Sequence, residues 1–142
     1  MIKFTIPGKP EGKGRPRFRR AGNYVQTYTP DKTVVYENWV KDCFRNAGGG
    51  KMNGEIHARI TAYFPIPKSA TKKRRAAMES GETGCATKPD TDNLAKCVLD
   101  ALNGMAYDDD SAVTWLEVRK LYSNEPRCEV QLIEKAEKEN EQ

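Results

Sequence analysis

Polar and apolar residues alternate in several stretches of the chain, and each alternation predicts a strand. Residues 2–6 (Ile-Lys-Phe-Thr-Ile) alternate and then meet Pro7-Gly8, which stops a first strand at a turn. Residues 24–28 (Tyr-Val-Gln-Thr-Tyr) combine aromatic and β-branched side chains and predict a short second strand. The strongest pattern is residues 55–64, with Ile56, Ala58, Ile60, Ala62 and Phe64 in alternate positions until Pro65 and Pro67 end it. Residues 113–122 alternate through Val113, Trp115, Val118 and Leu121 with one slip, predicting a long strand with a bulge. After a turn at Pro126, residues 127–134 alternate through Cys128, Val130 and Leu132. This last strand is expected to pair with its predecessor as a hairpin.

Helical spacing fills the gaps. Thr29 as cap and Pro30 in the first turn open a helix whose Val35, Trp39, Val40 and Cys43 are expected to face the core. It ends in the glycine run 48–50, a connector rather than a nucleotide loop because it follows the helix. Residues 69–78 predict a short basic helix capped by Ser69. Residues 93–102 predict a third helix, with Leu94, Cys97, Val98, Ala101 and Leu102 on one face and Asp92, Lys96 and Asp100 at successive i+4 positions on another. The order β-β-α-β-α-α-β-β predicts an α/β (α+β) fold: one small mixed sheet with helices packed against it, in a single domain over residues 1–142. The polar tail from Lys135 is expected to fray.

Composition narrows the class. At 142 residues the chain can bury about two-thirds of its unfolded surface. It has no apolar run of membrane-spanning length and no signal-peptide core, so a cytoplasmic location is expected. Cys43, Cys85, Cys97 and Cys128 form no Cys-x-x-Cys pair and the single His57 completes no zinc set; reduced core thiols are expected. His57 falls on the polar face of its strand and reads as a solvated residue, not a base.

The net charge of +4 is unevenly spread. Residues 7–23, rich in Gly, Pro and Arg, carry Lys9, Lys13, Arg15, Arg17, Arg19 and Arg20 against Glu11 alone and are expected to form a mobile basic arm. Their glycine spacing is not that of a P-loop. A second block, Lys72-Lys73-Arg74-Arg75, lies in the short helix. Two basic blocks around an acidic centre fit a polyanion-binding surface at a metal site.

The acid is gathered between Lys88 and Val113. Asp90 and Asp92 precede the third helix, and Asp108 to Asp110 follow it after a turn at Gly104. Helix capping accounts for one aspartate well, the second partly and the distant cluster not at all. An EF-hand loop fails because Leu94 replaces a ligand and Ala95 the required glycine. The third reading is a magnesium or manganese site: hard cations take two or three carboxylates, keep several waters and accept phosphate oxygens, while spacing alone does not place the second cluster at the Asp90 end. Such an ion polarises a phosphate and lowers the pKa of an attacking water. Lys96, one turn past Asp92, could stabilise transition-state charge or merely pair with Asp92 or Asp100.

The run Lys88-Pro-Asp-x-Asp-Asn-Leu-x-Lys-x-x-x-Asp-Ala-Leu-Asn-Gly, followed by Tyr107-x-Asp-Asp-Ser-Ala-Val, closely resembles the RusA-type Holliday junction resolvases of bacteria and their phages. The Lys-Gly-Arg-Pro-Arg arm and the Tyr-Thr-Pro helix entry are also similar, so the resemblance spans nearly the whole chain. It implies a small homodimeric α/β endonuclease that needs magnesium, or manganese in its place, and nicks four-way DNA junctions symmetrically in recombination and repair. No organic cofactor and no membrane are implied. The family's catalytic acids fall on Asp90, Asp92 and Asp110 and its lysine on Lys96; Asp90, Asp92 and Asp110 would hold metal, with Asp109 a further candidate and Asp100 in a secondary role. Lys13, Arg15, Arg17, Arg19, Arg20, Lys72, Lys73, Arg74, Arg75 and Lys88 are expected to bind DNA phosphates. A nuclease acting on flaps and a junction-binding protein without cleavage are the competing readings. The intact acidic set argues against the latter, because carboxylates facing phosphates weaken pure binding.

Overall fold

In a computed structural model that describes residues 1–135, the chain runs β1 (Ile2–Pro7), β2 (Arg17–Ala21), β3 (Tyr24–Tyr28), α1 (Asp31–Asn46), β4 (Ile56–Pro65), α2 (Lys72–Ser80), α3 (Thr91–Ala101), a 3₁₀ turn (Asp110–Ala112), β5 (Val113–Ser123) and β6 (Arg127–Glu134). The expected frayed tail lies, past residue 135, outside the described residues. The α+β architecture is as the pattern predicts. A four-stranded sheet in the order β1-β6-β4-β5 carries the helices on one face, and β2 and β3 form a separate two-stranded ribbon. No helix among the described residues is long and apolar enough to cross a membrane.

The expected β5–β6 hairpin does not form. β4 lies between the two strands, parallel to β5 and antiparallel to β6. β4 has the best reason to be central, since Ile56, Ala58, Ile60, Ala62 and Phe64 are all buried. A central strand needs partners on both edges, and a β5–β6 hairpin, giving the order β1-β6-β5-β4, would have left β4 only one. The link from Ser123 to Arg127 must cross two strand spacings, about 9.6 Å, which four Cα steps reach at about 13 Å. Termination of β4 at Pro65 lets that link pass. A bulge is present, but at the start of the strand and not after Trp115 where the alternation slips: Ile56 pairs with Val113 but His57 with Trp115, leaving Thr114 as the extra residue.

The helices bury their stripes against β4 and its neighbours. In α1 the buried residues are Thr33, Tyr36, Val40, Cys43 and Phe44. The predicted stripe is therefore rotated: Val35 and Trp39 are exposed, and Trp39 Nε1 donates to Pro7 O at 2.9 Å. The reason is spacing, because 36, 40, 43 and 44 follow i, i+4, i+7 and i+8 more closely than a stripe through 35 and 39. α3 buries Leu94, Ala95, Cys97, Val98, Leu99 and Ala101, a wider arc than predicted, since it packs on both the sheet and α1. In α2 the cap is Thr71, whose Oγ1 accepts from Arg74 N at 3.3 Å, two residues after the expected Ser69.

Two further expectations change. The arm is neither structureless nor free. Gly12 is packed so tightly that a Cβ would sit 2.8 Å from Pro89 Cβ, and Gly14 donates its N–H to the buried Thr33 hydroxyl at 3.0 Å. Beyond it, residues 17–28 fold into the β2–β3 ribbon about a turn at Gly22 (φ 64°). His57, on the sheet face away from the helices, is not simply solvated. It stacks on Trp115 at 3.9 Å between ring centroids, and its Nε2 is 2.7 Å from a Glu117 carboxylate oxygen.

All four cysteines are free and buried, as expected. Burial pushes the Cys97 and Cys128 thiols up from 9.0 to about 12. A raised folded pKa stabilises the fold below the unfolded value and loses that contribution as pH climbs toward the folded one. The urea midpoint is therefore expected to be flat up to about pH 8 and to fall from about pH 9 upward, and Cys97→Ala with Cys128→Ala should flatten part of that fall. A midpoint that rises between about pH 8 and pH 10 would contradict this account of the core.

Candidate active site

The acidic groups are positioned by the two ends of α3. At its head, Asp90 is the cap residue: its backbone carbonyl accepts from Leu94 N at 3.1 Å, but its side chain makes no capping hydrogen bond. Asp92 follows in the first turn, and both carboxylates are exposed. Capping therefore does not use the Asp90 carboxylate, which leaves it available to a ligand. It lines a groove of about 520 Å³ together with Lys9, Lys13, Arg15, Lys32 and Lys88.

The arm is laid across this groove by backbone contacts. Lys13 N donates to Asn93 O at 3.1 Å, just inside α3. The Lys13 ammonium then turns inward, 2.8 Å from Glu37 on α1 and 3.3 Å from Asp100 on α3. Partial burial lowers its pKa, but the hydrogen bonds and charges of Glu37 and Asp100 outweigh this and hold it above the ordinary value. Lys13 was expected among the phosphate-binding cations. Its charge is instead engaged by two carboxylates of the protein.

The tail of α3 receives the second acidic cluster. Gly104, at φ 79°, reverses the chain and donates its N–H to Tyr107 O at 2.8 Å. Tyr107 is buried, and its hydroxyl donates to Leu99 O at 2.6 Å, locking the loop onto the helix. The three consecutive aspartates then diverge. Asp108 pairs with Lys51. Asp109 accepts from Ser111 N at 3.2 Å, and that hydrogen bond holds its carboxyl below the usual range. Asp110 comes within hydrogen-bonding reach of Asp100. Burial first, then the neighbouring Asp109 and Asp100, push its carboxyl above the ordinary value, with Lys96 opposing. The exposed Lys96 ammonium sits 3.7 Å from the half-buried Asp100 carboxylate.

Asp92, Lys96 and Asp100 thus form one polar stripe. Two helical turns, about 12 Å, separate its ends. Asp90 and Asp92 stand at one end, Asp100 and Asp110 at the other, and Lys96 between them. No group of three or more His, Cys, Asp or Glu side chains among the described residues is gathered as a metal-holding cluster. The donor set still suits a hard cation, because magnesium is commonly held by one or two carboxylates while waters and phosphate oxygens fill its shell.

The expected DNA-binding cations divide into three places. Arg15 and Lys88 line the Asp90 groove, Arg17, Arg19 and Arg20 are on the ribbon, and Lys72 to Arg75 are on α2, which packs beside β5. Sequence reasoning missed Glu37 and Lys32. Glu37 follows the core residue Tyr36, so periodicity marks it only as a boundary position. Its partner Lys13 lies in a different element.

Three comparisons bear on this geometry. A family model described as "Endodeoxyribonuclease RusA" matches residues 7–133. A Bacillus subtilis (strain 168) protein described as "Uncharacterized protein YqaN" is 38% identical over 136 residues, covering 94% of this chain and 96% of its own length. The "Crossover junction endodeoxyribonuclease rusA" of Lactococcus phage r1t is 28% identical over 104 residues, 72% of this chain and 68% of that protein.

Replacing Lys13 leaves Glu37 and Asp100, with side chains 16% and 21% exposed, without their shared cation. Lys13→Met is expected to cost about 1–3 kcal/mol in denaturant unfolding. Adding Glu37→Gln to it should cost less than the sum of the two single changes. Strict additivity in that cycle would mean the pair is not coupled.

Proposed function

This chain belongs to the RusA family of endodeoxyribonucleases, and from that premise we propose that it resolves four-way DNA junctions by paired, metal-dependent hydrolysis of phosphodiesters. The observation that carries the reading is Asp90: a carboxylate at the head of a buried helix, spared from capping, in a groove lined by five cations and one other acid, Glu11, which is itself paired with Lys32 at 3.3 Å. An anion there has no structural duty that its neighbours reveal. A divalent ion bridging it to a phosphate would give it one.

The proposed division of labour follows the stripe. Asp90 and Asp92 would hold a magnesium or manganese ion; Asp110, expected to join them, lies at the other end of the stripe and is not gathered with them among the described residues. When bound, that ion would supply Lewis-acid polarisation of the scissile phosphate and a lowered pKa for an attacking water. Lys96, exposed in the middle of the stripe, would stabilise charge developing on the phosphate. Asp100, already engaged by Lys13 and Lys96, would hold those cations in place. Arg15 and Lys88 in the groove and the α2 block would bind phosphates, giving strongly salt-dependent affinity. Two nicks on a junction of near two-fold symmetry call for two related sites, which a homodimer of this chain would supply. The phage relative's printed name, a crossover junction endodeoxyribonuclease, supports the junction as substrate.

The test is purified protein incubated with a synthetic four-way junction, a flap and a linear duplex, with magnesium, with manganese and with chelator. Paired nicks on the junction alone, lost on chelation, are expected. A preference for the flap would transfer the activity to other branched DNA, and tight binding without cleavage would remove the enzyme reading. Asp90→Asn should abolish cleavage while junction binding is kept or tightened, and Lys96→Ala should slow it about 100-fold. Cleavage by Asp90→Asn at the wild-type rate would refute the metal assignment. Gel filtration giving only a monomer at assay concentration would refute the paired-nick mechanism.

A further inference from the structure

The β2–β3 ribbon has a composition that phosphate binding does not explain. Arg17 pairs with Tyr28, Phe18 with Thr27, Arg19 with Gln26, Arg20 with Val25 and Ala21 with Tyr24. Side chains alternate across a ribbon, so one face carries Arg17, Arg19, Tyr24, Gln26 and Tyr28. The other carries Phe18, Arg20, Val25 and Thr27. Phe18 is 72% exposed, Tyr24 63% and Val25 62%. Among the described residues the ribbon makes no substantial packing with any other strand or helix. A two-stranded ribbon of this kind gains little stability on its own, and large exposed rings clustered on it mark a binding surface.

Building on the junction-nuclease reading, we infer that this ribbon stacks its rings, Tyr24 foremost, on unpaired or unstacked bases at the branch point of the DNA. Two observations select that occupant. The ribbon carries three arginines and no acid, so its partner is a polyanion. It is also continuous with the Asp90 groove: Arg17 at its base lines an adjoining groove of about 360 Å³, and Arg15 and Lys32 line both. Cations alone would satisfy phosphates; exposed rings interleaved with arginines are what base stacking uses, since every base offers a π-face. On the face that carries Arg17 and Arg19, Tyr24 is the ring left open, Phe18 lying on the opposite face. The Arg19 guanidinium already lies over Tyr28, 5.4 Å from its centroid, whereas Tyr24 flanks the Gly22-Asn23 tip opposite Ala21, whose small side chain crowds no approaching base.

The inference separates two contributions to binding. The arginines would set the salt dependence, by counterion release. The rings would set the preference for branched over linear DNA, because paired bases in a duplex present no face to stack on.

The test uses a four-way junction with a single unpaired 2-aminopurine at its branch point, and a duplex of equal length with the probe base-paired, both in chelator so that no cleavage occurs. Wild-type protein is expected to quench the junction probe on binding and leave the duplex probe unchanged. Tyr24→Ala should lose the quench and about ten-fold of junction affinity, with duplex affinity within two-fold and the salt slope preserved; stacking is worth that much per base. Tyr24→Phe should restore both. Arg17→Gln with Arg19→Gln should instead shallow the salt slope on both DNAs by about two. A quench that survives Tyr24→Ala overturns the inference. Equal affinity losses on junction and duplex would make the ribbon a duplex-groove contact, and loss of a dimer on gel filtration would make it an interface between copies; either outcome also overturns it. Failure to cut any DNA in the metal-containing assay would refute the nuclease reading alone, because stacking is read without metal.

Discussion

Burial of one face of α3 is the constraint on which the rest of the site depends. Fully burying a Leu or Val is worth roughly 1.5–3 kcal/mol, and Leu94, Val98 and Leu102 are all but inaccessible. The Lys96–Asp100 pair on the opposite side, with its lysine exposed, is worth at most about 0.5 kcal/mol. The apolar face therefore decides how the helix is rotated, and the polar stripe points where it must. Because α3 is wedged against both the sheet and α1, its two ends are fixed as well. That fixes Asp90 at the mouth of the basic groove and gives Tyr107 a rigid carbonyl, Leu99 O, on which to anchor the second acidic loop.

Electrostatics then sorts carboxylates that the sequence presents as equivalent. Lys13 is the divider. Held by Glu37 and Asp100, it neutralises the interior of the stripe, so that Asp100 is a structural acid with cations on either side. Among the described residues Asp90 and Asp92 have no such partner, and Asp90 remains open to the groove. Asp110 lies between these extremes: crowded by Asp100 and Asp109, it gains more from an approaching cation than a solvated aspartate would. The same contact explains why Gly12, Lys13 and Gly14 stand together. The two glycines let the backbone pass flush against Pro89 and Thr33, and the lysine between them reaches in.

The protein divides into a part held by packing and a part held by little beyond its own ladder. The four-stranded sheet with α1 and α3 supplies the rigid frame. The ribbon projects from it, tied through Gly14 to Thr33 at its root. A rigid frame suits groups that must meet a phosphate within a fraction of an ångström, and a projecting ribbon suits a substrate whose arms vary in angle.

Local pattern determined much of this directly. Periodicity identified β1, β3, β4, β5, β6 and all three helices, because each is decided by which side chains must leave water along one short segment. The signature from Lys88 to Val113 carried the family, since its residue types and spacings lie within one contiguous stretch. Partner choice was not legible. β4 sits between β5 and β6, Tyr36 rather than Val35 turns inward, and residues 17–21 find a partner in 24–28; each depends on competition among segments for the same surface. The fate of individual charges was also left to the tertiary structure. Lys13 looks like any other cation of the arm, and Asp108, Asp109 and Asp110 look alike, until the fold sets one ammonium beside Glu37 and Asp100 and turns the three carboxylates to different neighbours. The physical reason is range: burial periodicity is read along a few consecutive residues, whereas a charge answers to whatever the fold brings within a few ångströms of it.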